Sequence, residues 1–208
     1  ELLSEKGAIY LHCDWHKSSY LRLILDEVFG QDNFVNEIVW LYRSGGASKT
    51  EALPRKHDNI LLYRKSKNFE VNAITERQYL DKSFMGSKQD EEGRYYVDTL
   101  LRDIIEGEIK TVTPDGKIRI FNARPVLNLS SERLEYPTQK PEGLTELLLE
   151  IASKRGDLVA DFFVGSGTTP AVAQKLGRRW IACDINKGAI QTTTKRLSQV
   201  IAEQQKEK

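Results

Sequence analysis

Apolar positions along the chain fall into short runs and helical stripes. Residues Gly7 to Cys13 (GAIYLHC) form a brief run of strand formers bounded by Gly7 and Asp14, which predicts a buried strand. From Ser18 onward, Tyr20, Leu21, Leu23, Ile24, Leu25, Val28 and Phe29 recur at helical spacing and stop at Gly30, where a C-terminal cap belongs. Phe34 to Tyr42 (FVNEIVWLY) and Asn59 to Tyr63 (NILLY) predict two more strands, separated by a polar, Gly-containing loop from Arg43 to Asp58.

From about Ser66 to Arg133 the pattern changes: charges are dense, periodicity is weak, and Pro114-Asp115-Gly116 marks a turn between strand-like TVT and KIRIF. This reads as an inserted, recognition-type region. A helix is predicted from Glu142 to about Lys154, with Leu144, Leu147, Leu148 and Ile151 on one face. A strand (Asp157 to Phe163), a Gly-Ser-Gly turn, a helix to Leu176, a strand (Arg179 to Ile185) and a last helix follow. That order is the grammar of an α/β sheet. The expected segments are 1–66 and 134–208 for the α/β domain, with 67–133 inserted between them.

Composition narrows the class. At 208 residues one domain with an insertion, or two small ones, is expected. Lys plus Arg total 31 against 30 Asp plus Glu, so any nucleic-acid contact must rest on local charge. No apolar run approaches the ~20 residues of a membrane helix, so no membrane partner is expected. Cys13 and Cys183 lie in separate apolar stretches without a CxxC, against a zinc ribbon or disulfide framework. With no leader signature, the expected location is cytoplasmic. The first residue is Glu1 rather than Met, which reads as a piece of a longer product.

The densest chemistry is Asp161-Phe162-Phe163-Val164-Gly165-Ser166-Gly167-Thr168-Thr169. Two glycines at a strand-to-helix turn let a ligand approach the backbone and meet free helix amides. Asp184 ends the next strand, where a carboxylate can accept both hydroxyls of a ribose. Together these read as a nucleoside pocket. GxGxxG is not matched, because its third glycine would fall at Pro170, which disfavours a diphosphate ligand. A plain tight connection and an acidic helix cap remain the bland alternatives.

The stretch from Tyr136 to Thr169, with TQKP and GSGTT, and the following LGRRWIACDIN closely resemble the amino-group DNA methyltransferases of the β arrangement, whose cofactor motif lies C-terminal. GAIYLHCDWHKSSYLRLILDEVFGQDNFVNEIVWLY and PRKHDNILLYRKS resemble the same family between its catalytic motif and target-recognition region. The resemblance implies a Rossmann-like methyltransferase sheet with an inserted target-recognition region, and S-adenosylmethionine as cofactor. It places Asp161, Phe163, Gly165, Ser166, Gly167 and Thr168 around the methionine portion and Asp184 at the ribose. Thr138, Gln139 and Lys140 match the family's other cofactor-side motif, where Lys140 would neutralise the methionine carboxylate. The family usually has Asp-Pro-Phe where this chain has Asp161-Phe162-Phe163, so the turn lacks proline's locked angle.

Methylating an exocyclic amine requires a group that accepts from the NH2 and an aromatic ring that holds the flipped base. The family uses Asp-Pro-Pro-Tyr, yet no Pro-Pro dipeptide occurs here, so no catalytic residue is assigned. The resemblance puts that motif upstream, on a strand between those at 157–163 and 7–13. Without it two half-sheets with open edges are expected, and the isolated chain should fold poorly.

The basic residues Arg43, Lys49, Arg55, Lys56, Arg64, Lys65 and Lys67, with His57 when protonated, face only Glu51 and Asp58 in the same stretch. Arg43, Lys49, Arg55 and Lys56 are the DNA-phosphate candidates, with a solvated loop as the ordinary alternative. His12, Asp14 and His16 flank Trp15 but point in divergent directions along a strand end, so no metal is assigned. The resemblance turns this strand end toward the catalytic cleft, which would let Asp14 and Trp15 help position the base, while core packing is the ordinary expectation for Trp15. The implied function is methylation of adenine N6 in double-stranded DNA. Cytosine N4, a different planar amine such as RNA, or an inactive DNA-binding module of the same fold are the rivals. A restriction subunit or a second copy of the chain are further partners left open.

Overall fold

A computed structural model describes residues 2–42, 53–126, 130, 132–134, 136 and 138–206. The chain divides into two compact units, Glu1–Ile120 and Phe121–Lys208.

The first unit opens with β1 (Ala8–Cys13), a helix α1 (Ser18–Phe29), β2 (Phe34–Leu41) and β3 (His57–Arg64). The turn into α1 is held by Asp14, whose Oδ1 accepts from the backbone N–H of His16 (3.0 Å) and Lys17 (3.2 Å). Gly30 closes the helix as expected, at φ +85° with its N–H on the Asp26 carbonyl. β3 is central, antiparallel to both β1 and β2. That is why Ile60, Leu61, Leu62 and Tyr63 are all buried rather than alternating: both sheet faces are covered. Leu61 and Tyr63 pack on Leu25, with Ile9, Leu11, Leu21, Phe29 and Phe34 around them. The predicted helical stripe therefore splits. Leu21, Leu25 and Phe29 face the sheet, while Tyr20, Leu23, Ile24 and Val28 are exposed.

Next come β4 (Thr75–Leu80), β5 (Lys88–Gln89), β6 (Tyr95–Leu100), β7 (Ile104–Glu106), β8 (Glu108–Val112) and β9 (Ile118–Asn122). β7 returns to the first sheet, parallel to β2, giving the order β1-β3-β2-β7. The others make a five-stranded sheet, β5-β6-β4-β8-β9, closed by the Pro114-Asp115-Gly116 turn between β8 and β9. These five strands lie inside the segment 67–133.

The second unit contains α2 (Glu142–Ala152), β10 (Leu158–Asp161), α3 (Thr168–Lys175), β11 (Arg179–Ala182) and α4 (Lys187–Lys206). β10 and β11 pair in parallel across α3. Leu149, Val172 and Ala173 form the core with Val159, Leu176 and Trp180 against them. Leu144, Leu147 and Ile151 of α2 are buried as expected, and Leu149 rather than Leu148 joins them.

Two separate sheets are present, as expected: among the described residues, β10 and β11 form a two-stranded parallel sheet apart from the mixed sheet β1-β3-β2-β7. One face of the pair, with Leu158, Ile181 and Phe162, is consequently exposed. Both strands end earlier than predicted: after β10 Asp161 Oδ1 accepts the Phe163 N–H (3.0 Å), and after β11 Asp184 Oδ1 accepts the Asn186 N–H (2.8 Å).

Among the described residues no helix is long and apolar enough to cross a membrane. Gly143 lies against the backbone of Asn122, where a Cβ would collide with the Asn122 peptide. A Gly143→Ala chain should lose about 1–3 kcal/mol of stability by overpacking, read as a lower urea midpoint at unchanged m-value.

Candidate nucleoside site and nucleic-acid surface

The turn from Val164 to Thr168 joins β10 to α3 and is built on two positive-φ glycines, Gly165 (+51°) and Gly167 (+77°). Each is also packed against a neighbour. A Cβ on Gly165 would meet the Tyr136 ring at 3.3 Å, and one on Gly167 would meet Thr193 Oγ1 at 2.8 Å. The Gly167 N–H closes the turn on the Val164 carbonyl (2.8 Å). Glycine is thus required twice over, by backbone angle and by close approach.

Asp184 stands beside this turn. Its Oδ2 accepts from Gly165 N–H (3.0 Å) and its Oδ1 from Asn186 N–H (2.8 Å). Those amides, Asn186 first and Gly165 second, hold the carboxyl below its usual range. It remains half-exposed, and each oxygen retains a further lone pair for an incoming hydroxyl. Helix capping and ligand acceptance are therefore compatible in one carboxylate. Asp161 is half-buried and bonded to Phe163 N–H, and Phe163 itself is 89% exposed. Ile185, following Asp184, is fully exposed, so two apolar side chains flank the polar turn.

Ser166 and Thr168 are buried and point inward. Arg196 Nη1 donates to the Ser166 carbonyl (3.1 Å) and to Thr168 Oγ1 (3.0 Å). Ser166 Oγ lies 3.2 Å from Thr168 Oγ1, whose own proton goes to the Lys140 carbonyl (3.2 Å). Arg196 Nη2 donates to Glu142 Oε1 (2.7 Å), and Lys175 Nζ to Glu142 Oε2 (2.6 Å). Burial raises the Glu142 pKa, but the hydrogen bonds from Lys175 and Arg196 outweigh it and leave it lowered. Glu132 is pushed up by burial; its Oε2 accepts from Glu142 N–H at the start of α2 (2.9 Å).

The TQK residues behave differently from one another. Gln139 is buried and used within the protein, its Oε1 accepting from Leu134 N–H (2.9 Å) and its Nε2 donating to the Glu132 carbonyl (2.6 Å). Thr138 is exposed at φ +62°. Lys140 Nζ donates to the Thr138 carbonyl (3.3 Å). Sequence reasoning missed Arg196, Thr193, Glu142 and Glu132. One signal existed: Ala189, Thr193, Arg196, Leu197 and Val200 form the buried stripe of α4, so Arg196 is a charge at a core position.

In the first unit, Arg55 lays its guanidinium 3.6 Å over the Trp15 ring, and Trp15 stacks on His16 at 3.5 Å. Trp15 is therefore half-buried in a surface stack rather than in the core, because its neighbours are a cation and an imidazole instead of aliphatic groups. Lys56 is half-buried beside it in sequence; Arg43 and Lys49 lie outside the described residues. His12 Nε2 is 3.0 Å from Asp58 Oδ2, and Tyr42 OH donates to Asp58 Oδ1 (3.1 Å). Burial first, and Asp58 second, raise the Tyr42 pKa.

Comparison with known proteins decides the family. The DNA methylase profile for N6 and N4 amino-group enzymes matches residues 1–195. The chain belongs to this family. It is 32% identical over 197 residues to the type II methyltransferase M.HpaI of Haemophilus parainfluenzae, covering 94% of this chain and 55% of that protein. Over 63 residues it is 49% identical to M2.DpnII of Streptococcus pneumoniae, 30% of this chain and 24% of that one. The chain thus spans about half the length of the full-coverage curated relatives it matches. The crystal structure of an M1.HpyAVI–SAM complex matches with a TM-score of 0.58 at 21% identity, over 94% of this chain and 76% of that one. PvuII DNA methyltransferase, described as cytosine-N4-specific, matches with a TM-score of 0.58 at 14% identity, over 93% and 64%. These likenesses show a methyltransferase fold.

Two predictions follow from the geometry of the turn. Gly167→Ala places a side chain at positive φ and against Thr193, and should destabilise the protein by about 2 kcal/mol in thermal or urea melts. Because its folded pKa is lowered, Glu142 contributes stability above the ordinary glutamate value, lost as pH falls through the lower folded value. The gap in melting temperature between wild type and Glu142→Gln should therefore be widest near neutrality and shrink below about pH 4.

Proposed function

We propose that this chain supplies the cofactor-binding and DNA-contacting parts of an enzyme that methylates the N6 amine of adenine in double-stranded DNA, using S-adenosylmethionine. The observation that carries this reading is the hydrogen bond from Gly165 N–H to Asp184, which sets a glycine turn and a strand-end carboxylate side by side in a member of the DNA methylase family. The cofactor supplies an electrophilic methyl on a sulfonium. The residues present fit such a group. Gly165 and Gly167 leave the turn without side chains, Asp184 has lone pairs for ribose hydroxyls, and Phe163 and Ile185 offer apolar surface to a purine. Asp161 and Thr168 shape the turn, Ser166 holds it from behind, and Thr138 and Lys140 present a hydroxyl and an ammonium on the neighbouring segment. Gln139 acts from within, bracing that segment through the backbone at 132 and 134.

No residue of this chain is assigned to accepting the proton side of the target amine. Arg55 and Lys56 meet phosphates, with Arg55 oriented by Trp15. The exposed cation is then pre-organised, which lowers the entropy lost on contact. Segment 67–133, with its five-stranded sheet, reads the DNA sequence.

Titration calorimetry of the full-length protein should show S-adenosylmethionine binding, and nucleoside analysis of treated DNA should show N6-methyladenine. N4-methylcytosine would overturn the choice of base. DNA binding without any methylated base would favour an inactive module. Changing Arg55 and Lys56 together to Gln should weaken DNA binding, flatten the log affinity versus log salt slope by about 2, and leave cofactor binding untouched.

A further inference from the structure

We propose that Arg196 is a positioning residue for the methyl donor, a single buried guanidinium that joins the glycine turn to the Thr138–Lys140 segment and sets both as one rigid wall. This rests on the cofactor reading above. The network is specific in its geometry. Arg196 is only 5% exposed and distributes its donors over three acceptors on two separate segments: the Ser166 carbonyl and Thr168 Oγ1 in the turn, and Glu142 Oε1 at the start of α2. Thr168 passes the link on, donating its hydroxyl proton to the Lys140 carbonyl. One helical turn earlier, Thr193 Oγ1 donates to the Gly165 carbonyl (3.2 Å).

The consequence for a ligand follows from peptide planarity. Each carbonyl and the next N–H point in opposite directions across a trans peptide. Drawing the Gly165 carbonyl toward Thr193 turns the Ser166 N–H away from α4, and Arg196 does the same for the peptide after Ser166. α4 therefore pulls acceptor atoms off the ligand side of the turn. Only a planar fork reaches the turn and Glu142 together; a lysine ammonium is a point charge that serves one of them. Glu142 keeps Lys175 as a second counter-charge, so Arg196 is not its sole partner.

The test uses the full-length protein and the variants Arg196→Met and Arg196→Lys. Calorimetric titration with S-adenosylhomocysteine, well below each melting temperature, should show Arg196→Met weakened about tenfold or more and Arg196→Lys in between. KM for the methyl donor should rise in step, while kcat at saturating donor stays within about twofold, the signature of lost binding rather than lost chemistry. Amide hydrogen exchange at 165–168 in the ligand-free protein should quicken in both variants, and this readout speaks to Arg196 whether or not a cofactor binds. A folded Arg196→Met with wild-type affinity and wild-type exchange overturns the proposal. Should Arg196→Met fail to fold, Arg196→Lys decides: unchanged affinity and exchange overturn it, and a weakened, faster-exchanging turn supports it. Absence of binding by the wild-type protein strikes the cofactor reading instead, leaving the exchange result to judge Arg196.

Discussion

A guanidinium buried in the apolar stripe of a helix has no stable state except one in which its donors are met, and that requirement organises the second unit. Desolvating Arg196 without partners would cost several kcal/mol. Its solution is to gather the Ser166 carbonyl, Thr168 and Glu142 around one fork. α2, α3 and α4 are thereby brought to a common point beside the glycine turn. Gly167 then has to be glycine, because Thr193 of the same helix closes on it. The turn's shape is imposed from behind by α4 as much as by its own backbone angles.

The two sheets of this chain show what covering does to a strand. β3 has a neighbour on each edge and side chains packed on each face, so five successive residues, Asn59 to Tyr63, are buried. β10 and β11 pack one face on Val172 and Ala173 of α3 with Leu149 of α2, and alternate between half-buried and exposed. Parallel strands are ordinarily covered on both faces. The loops at the carboxyl ends of this pair are nevertheless fully tied, through Asp184 to Gly165 and through Cys183 to Asp161 and Val164. The order of the candidate site therefore comes from its loops and helices, not from the breadth of its sheet.

Much was legible beforehand because it is local. The helix from Ser18 to Phe29 and its Gly30 stop, the strands around 8–13, 34–41 and 57–64, the Pro114-Asp115-Gly116 hairpin and the glycine turn all follow from spacing and turn chemistry within a few residues. Family membership was legible for the same reason, since TQKP and GSGTT are contiguous. Asp184 could be singled out by its place at a strand end, though not its bond to Gly165.

What the tertiary structure alone decided concerns partners far apart in sequence. Arg196 and Glu142 are separated by 54 positions, and no local period relates them. Gln139 turns to backbone atoms instead of outward, and Trp15 meets Arg55 at the surface. Periodicity determines which face of an element is apolar; it does not say which buried charge finds which carboxylate, or which strand edge finds a neighbour. Those are settled by desolvation and hydrogen-bond satisfaction, which act on groups only once the chain has brought them together.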